Sequence, residues 1–375
     1  MSACDDCLRR AWLLRAMSGH LERGRRQGGV LALEDNQLIE ALGGATREEL
    51  RRRHAGFDPA AARKLVAAAG LASRCRHGGP FPGGLQEAAD APWAIFVAGR
   101  AEAFDALAAV DDVAPAVAVV GARRAAGEGE EVARSLGQEL AAAGVCVVSG
   151  LALGIDSAAH RGALSVVAPA PDRGRPPTVA VLAGGADVVY PPSARGLYAQ
   201  ILRAGCVISE LPPGTPPRKW GFPARNRIIA ALAGMTVVVQ ARERSGSLIT
   251  ADLAMQLGRP VGAVPGPVTR PLSHGTNALL ADGAHVVRDA RDVLEALLPG
   301  HALPQTPAVP ALDDGLRAVL DAVGDGACTA GELAARRGVA VAEATADLTR
   351  LEMVGAVCRD GAGRYLPTGR IGALL

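Results

Sequence analysis

Residues 210–251 concentrate side chains that can bind phosphate and stack on a base. They are cations, an aromatic residue, an amide and a Ser-Gly-Ser triplet: Lys219, Phe222, Arg225, Asn226, Arg227, Ser245, Gly246 and Ser247. Phosphates bind at cationic side chains and helix N-termini, and aromatic rings stack on nucleobases. No nucleophile with an adjacent base is evident in this segment. The predicted chemistry is therefore non-covalent binding, and we predict neither an enzyme nor a catalytic residue.

A further candidate pair follows an apolar segment, where Gly121 and Arg123 stand two residues apart. Glycine lets the backbone approach a ligand closely, and arginine can pair with phosphate. The Gly-x-Gly-x-x-Gly dinucleotide fingerprint and the Gly-Lys-Ser/Thr of a P-loop are both missing here, so no cofactor is predicted. Taken alone, the pair would be interpreted as a tight turn and a surface cation.

Asp156 and His160 lie four residues apart, which places them on one face of a predicted helix. They could form an acid/base pair or a purely structural contact. We favour the structural interpretation, in which Asp156 caps the helix start and His160 bonds to it, because no nucleophile adjoins them.

From residue 116 onward, apolar β-branched segments alternate with amphipathic helical segments. Strands are predicted at 117–120, 145–148, 178–182, 207–209, 235–240 and 261–264. This alternation predicts an α/β fold with a parallel sheet that is buried on both faces. Ligands of such sheets bind at the carboxyl ends of the strands, where the candidate residues fall.

The predicted organisation has a small helical domain at each end of the chain. Residues 1–90 are a helical domain, 91–298 the sheet domain, 299–311 a Pro-rich linker, and 312–375 three helices with a hairpin. The last pattern is typical of a winged helix. Its third helix carries one cation, Arg350, against Glu343, Asp347 and Glu352, which is a poor match to the major groove of DNA. A protein-contacting winged helix is at least as consistent.

The composition limits the class of protein. The net charge is +2, so affinity for nucleic acid must come from local clustering of cations. Lysine occurs only at Lys64 and Lys219, the second beside two aromatic residues. No apolar signal segment or membrane span is evident, and seven cysteines form no paired framework. We therefore expect a cytoplasmic protein that does not contact membranes.

Four potential zinc ligands are present in two pairs, Cys4 with Cys7 and Cys75 with His77. The first pair has the spacing of structural zinc sites, but the second does not. A lone Cys-x-x-Cys is a weak signal, so we predict no metal site, and zinc stays open as the less favoured alternative.

Six separate motifs together resemble the DNA processing protein A family, DprA or Smf. They lie at 120–123, 149–160, 180–191, 222–230, 245–251 and 265–267. The resemblance implies an extended Rossmann-like domain between a SAM-like N-terminal domain and a winged helix. It also implies a homodimer that binds single-stranded DNA and loads the RecA recombinase onto it in natural transformation. By position, Arg123 and Lys219 would hold phosphate and Phe222 would stack on a base, with residues 225–227 lining the same pocket. This chain has Ala122 where the family usually has serine, and an additional loop at 169–177.

Two other functions are consistent with such a chain. One is a Rossmann-like nucleotide phosphoribohydrolase of the lysine-decarboxylase-like fold, but its Pro-Gly-Gly-x-Gly-Thr-x-x-Glu motif is not matched by 265–267 or by Gly275 and Thr276. The other is an adaptor whose winged helix is the active part.

Overall fold

The computed structural model describes residues 2–23, 29–108, 116–166, 176–298, 312–324, 326, 329–359 and 363–367. The chain divides into two compact units, Met1–His301 and Ala302–Leu375. The predicted linker at 299–311 lies outside the described residues, as does nearly all of the predicted loop at 169–177.

The first unit is built on a sheet to which the described residues contribute nine strands. In chain order these are β1 (Ala72–Cys75), β2 (Ala94–Gly99), β3 (Ala116–Val120), β4 (Val147–Ser149), β5 (Thr178–Val181), β6 (Cys206–Ser209), β7 (Ala233–Val238), β8 (Val261–Ala263) and β9 (His285–Val286). In space the order is β1-β2-β6-β5-β4-β3-β7-β8-β9. Neighbours from β6 to β9 are parallel, whereas β2 is antiparallel to both β1 and β6. The predicted α/β fold with a mostly parallel sheet is confirmed.

The helices of this unit cover both faces of the sheet. They are α1 (Asp5–Ala16), α2 (Ser18–Arg23), α3 (Asp35–Leu42), α4 (Arg47–Ala55), α5 (Pro59–Ala68), α6 (Gly83–Gln86), α7 (Ala101–Asp105), α8 (Gly127–Ala142), α9 (Ile155–Ser165), α10 (Arg195–Ala204), α11 (Gly221–Leu232), α12 (Gly246–Gln256), α13 (His274–Ala281) and α14 (Ala290–Leu297). Because the central strands are buried on both sides, they consist almost entirely of Val, Ala and Ile.

The N-terminal helices pack directly on this sheet. Leu8 of α1 belongs to the same apolar core as Phe96 of β2, and the Trp12 ring lies 5.9 Å from the Phe96 ring. Farther along α1, Leu13 and Leu14 share a core with Trp220, which precedes α11. The predicted boundary near residue 90 stays a prediction, and β1 on its N-terminal side already belongs to the sheet.

The second unit has the winged-helix pattern. Helices α15 (Asp314–Gly324), α16 (Ala330–Arg337) and α17 (Val341–Met353) precede the antiparallel strands β10 (Val357–Arg359) and β11 (Tyr365–Pro367). Helix α16 begins with a reciprocal cap between Thr329 and Glu332 and ends at Gly338, whose φ is 67°. The hairpin turn predicted at Asp360 and Gly361 lies outside the described residues. Among the described residues, no helix is both long and apolar enough to cross a membrane.

Candidate functional site

A cavity of about 320 Å³ opens at the carboxyl ends of the central strands. Its walls are the end of β3, the loop after β4, and the first turns of α9, α11 and α12. Strand order reverses between β3 and β7, so the loops that follow these strands diverge and leave a crevice. Eight of the ten predicted binding residues line it: Gly121, Arg123, Phe222, Arg225, Asn226, Ser245, Gly246 and Ser247. The structure does not bring Lys219 and Arg227 into this lining.

The turn after β3 lies close against α9. A Cβ atom at Gly121 would come within 2.6 Å of the Ile155 side chain, so the position needs glycine. This close approach sets the direction in which the chain continues to Arg123, whose side chain is exposed.

A stack of three side chains stands at one side of the cavity: Arg123 and Phe222 line it, and Tyr190 lies beside Phe222. The Arg123 guanidinium carbon lies 4.9 Å from the centre of the Phe222 ring, and the Tyr190 ring lies 5.7 Å from the same ring. Phe222 is half-buried and Tyr190 is 45% exposed. Helix α11 begins at Gly221, so Phe222 stands in its first turn. Tyr190 was missed as a site residue, although it lies in one of the motifs that carry the family resemblance.

Trp220, one of the two aromatic residues beside Lys219, is 2% exposed and belongs to the core beneath α1. Its backbone N–H donates to Glu22 Oε2 at 3.2 Å, which holds the start of α11 against α2. Lys219 itself is exposed beside Arg218, three residues before Phe222. Burial of Trp220 thus directs the two preceding cations outward at the edge of the site.

Arg225 is a buried support for the cavity floor. Its Nη1 donates to the carbonyl oxygens of Gly150 at 2.5 Å and Val181 at 2.6 Å, at the carboxyl ends of β4 and β5. Its Nη2 lies 4.0 Å from Asp156 Oδ2, and burial lowers the pKa of the guanidinium below its usual value. A Cβ at Gly150 would overlap this guanidinium. Arg225 therefore ties two strand ends together and presents only a small part of its surface to the cavity.

Asn226 links the two helices that bound the cavity. Its Oδ1 accepts from Arg225 Nε at 3.0 Å, and its Nδ2 donates to the Gly246 carbonyl at 3.2 Å. The start of α12 is capped by Ser245, whose hydroxyl accepts from the Ser247 N–H at 3.4 Å. The partial positive charge at the N-termini of these helices favours an anion in the cavity.

Arg227 faces away from the cavity. It is 6% exposed, forms an ion pair with Glu210, and donates to the Asp90 carbonyl at 2.5 Å. The ion pair with Glu210 holds Arg227 within the fold and outside the cavity lining. Arg225 faces the cavity instead, because side chains two residues apart on a helix point about 200° apart.

Asp156 is bonded to the loop after β4 and not to His160. Asp156 Oδ2 accepts from the backbone N–H groups of Gly150 and Ala152 at 3.2 and 3.4 Å, which fixes the loop after β4. Burial raises the pKa of this carboxyl above its usual value, against the opposing effect of the Arg225 charge.

The predicted bond between His160 and Asp156 is wrong. His160 Nδ1 lies 2.6 Å from Thr178 Oγ1, and that hydroxyl donates to the Val147 carbonyl at 2.7 Å. The hydroxyl must therefore accept from His160, whose Nδ1 carries the proton. Burial lowers the pKa of His160 to about 3, so the ring is a neutral member of the core.

The exposed charge around the cavity is mostly positive. Six exposed cations near its edge have no acidic partner within 4 Å among the described residues: Arg123, Arg124, Arg218, Lys219, Arg242 and Arg244. The exposed carboxylate nearby, Glu243, lies 3.7 Å from His274. The site thus combines unpaired cations, helix N-termini and an exposed ring, which suit a polyanion with attached aromatic groups.

Comparisons with known proteins agree with this architecture. The family described as DNA recombination-mediator protein A matches residues 74–298, and the DprA winged helix domain matches residues 303–363. A putative DNA processing protein DprA of Mycobacterium tuberculosis is 44% identical over 270 residues, which cover 70% of this chain and 67% of that protein. Protein Smf of Escherichia coli is 36% identical over 284 residues, 73% of this chain and 72% of the relative.

Solved structures show the same fold. The X-ray structure of DNA processing protein A from Streptococcus pneumoniae has a TM-score of 0.61 at 33% identity and covers 79% of this chain and 99% of its own. The DNA processing protein A of Helicobacter pylori, described by its single-stranded DNA binding mode, has a TM-score of 0.52 at 27% identity and covers 62% of this chain and 97% of its own. The chain therefore belongs to the DNA recombination-mediator protein A family, the DprA proteins.

Proposed function

We propose that this protein binds single-stranded DNA in the cavity between α9, α11 and α12. The observation that carries the proposal is the exposed Arg123–Phe222–Tyr190 stack beside three helix N-termini. Phosphates bind to the cations and helix N-termini, and an unpaired base stacks on Phe222. Lys219 adds a phosphate contact at the edge of the site.

The preference for single strands follows from the shape of the site. A base can stack on the Phe222 ring only if it has left its own helical stack, which costs several kcal/mol in a duplex but little in a single strand. Each stacked base contributes about 1–3 kcal/mol, and each phosphate contact adds affinity that falls as salt concentration rises. The Helicobacter pylori relative, which is described as binding single-stranded DNA, supports the same choice.

A titration of the full chain with fluorescent DNA tests this proposal. An oligothymidylate and a hairpin duplex of equal phosphate number are compared by anisotropy at several salt concentrations. The single strand is expected to bind at least about ten times more tightly, with log Kd depending linearly on log salt. Equal affinity for the two DNAs would contradict the proposal.

The enzymatic alternative is not favoured. The buried charged residues of the cavity bond to the backbone: Asp156 accepts from two N–H groups and Arg225 donates to two carbonyls. Incubation with nucleoside monophosphates gives the direct test, because release of a free base would establish a phosphoribohydrolase.

We further propose that the first unit forms the homodimer. Helices α13 and α14 flank β9, an exposed edge strand whose Val286 is 53% exposed, and Leu280, Leu297 and Leu298 are partly exposed nearby in the chain. Light scattering of the full chain at micromolar concentration is expected to give twice the mass of one chain. A monomer that still binds DNA would contradict this proposal.

The family resemblance supports a role in delivering the bound strand to RecA in the cytoplasm during natural transformation. A site that contacts one stacked base and a few phosphates leaves the rest of the strand accessible to a recombinase. The test is the rate of RecA ATP hydrolysis on DNA coated with single-strand-binding protein. This chain is expected to shorten the lag before hydrolysis, and an unchanged lag would contradict the loading role.

A further inference from the structure

A second cluster of chemically active side chains lies far along the chain from the cavity residues, at the start of α1. The sulfur atoms of Cys4, Cys7 and Cys75 all lie within 4.8 Å of one another. His77 Nδ1 lies 3.4 Å from Cys4 Sγ and 3.3 Å from Cys7 Sγ. Two pairs that are about seventy residues apart in sequence are thus brought together by folding.

The distances from His77 to Cys4 and Cys7 match those of a tetrahedral zinc site. Zinc lies about 2.3 Å from sulfur and about 2.0–2.1 Å from a histidine nitrogen, so tetrahedral angles give S···S distances near ~3.8 Å and S···N distances near ~3.6 Å. The S···N distances here are within about 0.3 Å of that value. Three thiols and an imidazole form one of the donor sets of structural zinc sites.

The cluster is held by secondary structure at both ends. Cys4 is the residue before α1 and Cys7 lies in its first turn, while Cys75 is the last residue of β1. The backbone N–H of Cys4 donates to Cys75 Sγ at 3.4 Å. Such bonds stabilise a thiolate, which is the form of cysteine that binds a metal. Cys7 and Cys75 are 0% and 2% exposed, whereas His77 is exposed and offers a route for the ion.

We propose that Cys4, Cys7, Cys75 and His77 bind one structural zinc ion. The sequence alone did not favour this site, because Cys-x-His lacks the spacing of a second zinc pair. The turn after β1 brings His77 near the cysteines although the spacing is not that of a zinc pair. The chain reverses at this turn, where the Gly78 N–H donates to the Cys75 carbonyl at 3.4 Å. That reversal turns His77 toward Cys4 and Cys7.

The proposed zinc fixes the first helix to the edge of the sheet. Beyond its zinc end, α1 supplies Leu13 and Leu14 to the core that contains Trp220. Arg15 of the same helix donates to the Pro213 carbonyl at 3.1 Å. The ion therefore stabilises α1, against which the segment before α11 packs. The zinc proposal does not depend on whether the chain binds DNA.

The test is elemental analysis of the full chain, purified under reducing conditions without a chelator or a metal-binding tag. About one zinc per chain is expected in the parent, and most of it is expected to be lost in Cys75→Ser and in His77→Ala. Cys206→Ala is the matched control, since Cys206 is a fully buried cysteine of β6 and its loss is expected to leave the zinc content unchanged.

Cobalt substitution keeps the test valid if the variants fail to fold. The parent chain loaded with Co²⁺ in place of zinc is expected to show the strong visible absorption of tetrahedral cobalt bound to thiolates. Three results would each overturn the proposal. The first is a metal-free parent chain that gives no such absorption when Co²⁺ is added. The others are a Cys4–Cys7 disulfide formed under reducing conditions and full zinc content in Cys75→Ser.

Discussion

Replacing Phe222 with alanine separates a stacking role from a packing role. The ring is half-buried, contacts Arg123 and Tyr190, and belongs to none of the apolar cores of the described residues. Its loss removes one aromatic pair and one exposed cation–π contact, together about 1–2 kcal/mol of stability. Loss of a stacked base costs about 1–3 kcal/mol of DNA affinity, which weakens Kd by about 5-fold to about 150-fold.

The assay measures both quantities on the same sample, by urea denaturation and by anisotropy with a labelled oligothymidylate. Phe222→Tyr is the conservative variant and is expected to retain most of the affinity. Phe104→Ala is the opposite control, because Phe104 is fully buried and its loss is expected to cost about 3–5 kcal/mol of stability without changing the affinity of the folded fraction.

Large destabilisation of Phe222→Ala with unchanged affinity, after correction for the folded fraction, would refute the stacking argument. It would assign Phe222 to the support of α11 and place the base-binding surface elsewhere. If Phe222→Ala weakened binding to single strands and to duplex equally, that result would also contradict a stacking role, since paired bases do not reach the ring.

Three further predictions test the supports of the site. Gly150→Ala is expected to displace the Arg225 guanidinium and cost about 1–3 kcal/mol of stability by urea denaturation, whereas Gly127→Ala, where an added Cβ meets no atom within 4 Å, is expected to be nearly neutral. Arg227→Met is expected to lower the free energy of unfolding by about 3–5 kcal/mol, because it leaves Glu210 buried without its partner. The affinity of the folded fraction for DNA is expected to stay unchanged. A large loss of affinity would show that Arg227 belongs to the binding site. The pKa of His160 falls to about 3 on folding, from about 6.5 in the unfolded chain, so its contribution to stability is complete above pH 6.5 and is lost as pH falls toward 3. When the pH is lowered from about 7.5 to about 5, the free energy of unfolding is expected to fall by about 2 kcal/mol more in the parent than in His160→Asn. An identical fall in both would contradict the assignment of His160 as a buried neutral ring.

The sheet was predictable from sequence where its strands are buried on both faces. Continuous apolar segments identified β3 to β8 to within about three residues, because burial on both sides selects Val, Ala and Ile with little ambiguity. Strands β1, β2 and β9 were not predicted, and of these β2 is as apolar as the strands that were. β1 contains Ser73 and Arg74, and β9 is only two residues long, so neither has a periodic apolar pattern.

The binding residues were predictable as a group, but their individual roles were not. The family resemblance implied that Arg225 and Arg227 line one pocket, yet helical geometry turns one to the cavity and the other to Glu210. Burial of Trp220 depends on its contact with α1, which is some two hundred residues away in sequence. Similarly, Thr178 reaches His160 only through the packing of α9 on β5, which no local pattern shows.

The salt dependence of DNA binding tests the central claim most directly. Oligothymidylate affinity is measured over a range of salt concentrations for the parent and for Arg123→Ala and Lys219→Ala. Arg203→Ala and Lys64→Ala are the matched controls, since both side chains are exposed and belong to α10 and α5, helices that contribute nothing to the cavity lining. Arg123→Ala and Lys219→Ala are each expected to bind more weakly and to reduce the slope of log K against log salt by about 0.7, while the controls keep the parent slope. Parent-like affinity and slope in both Arg123→Ala and Lys219→Ala would contradict the proposed site.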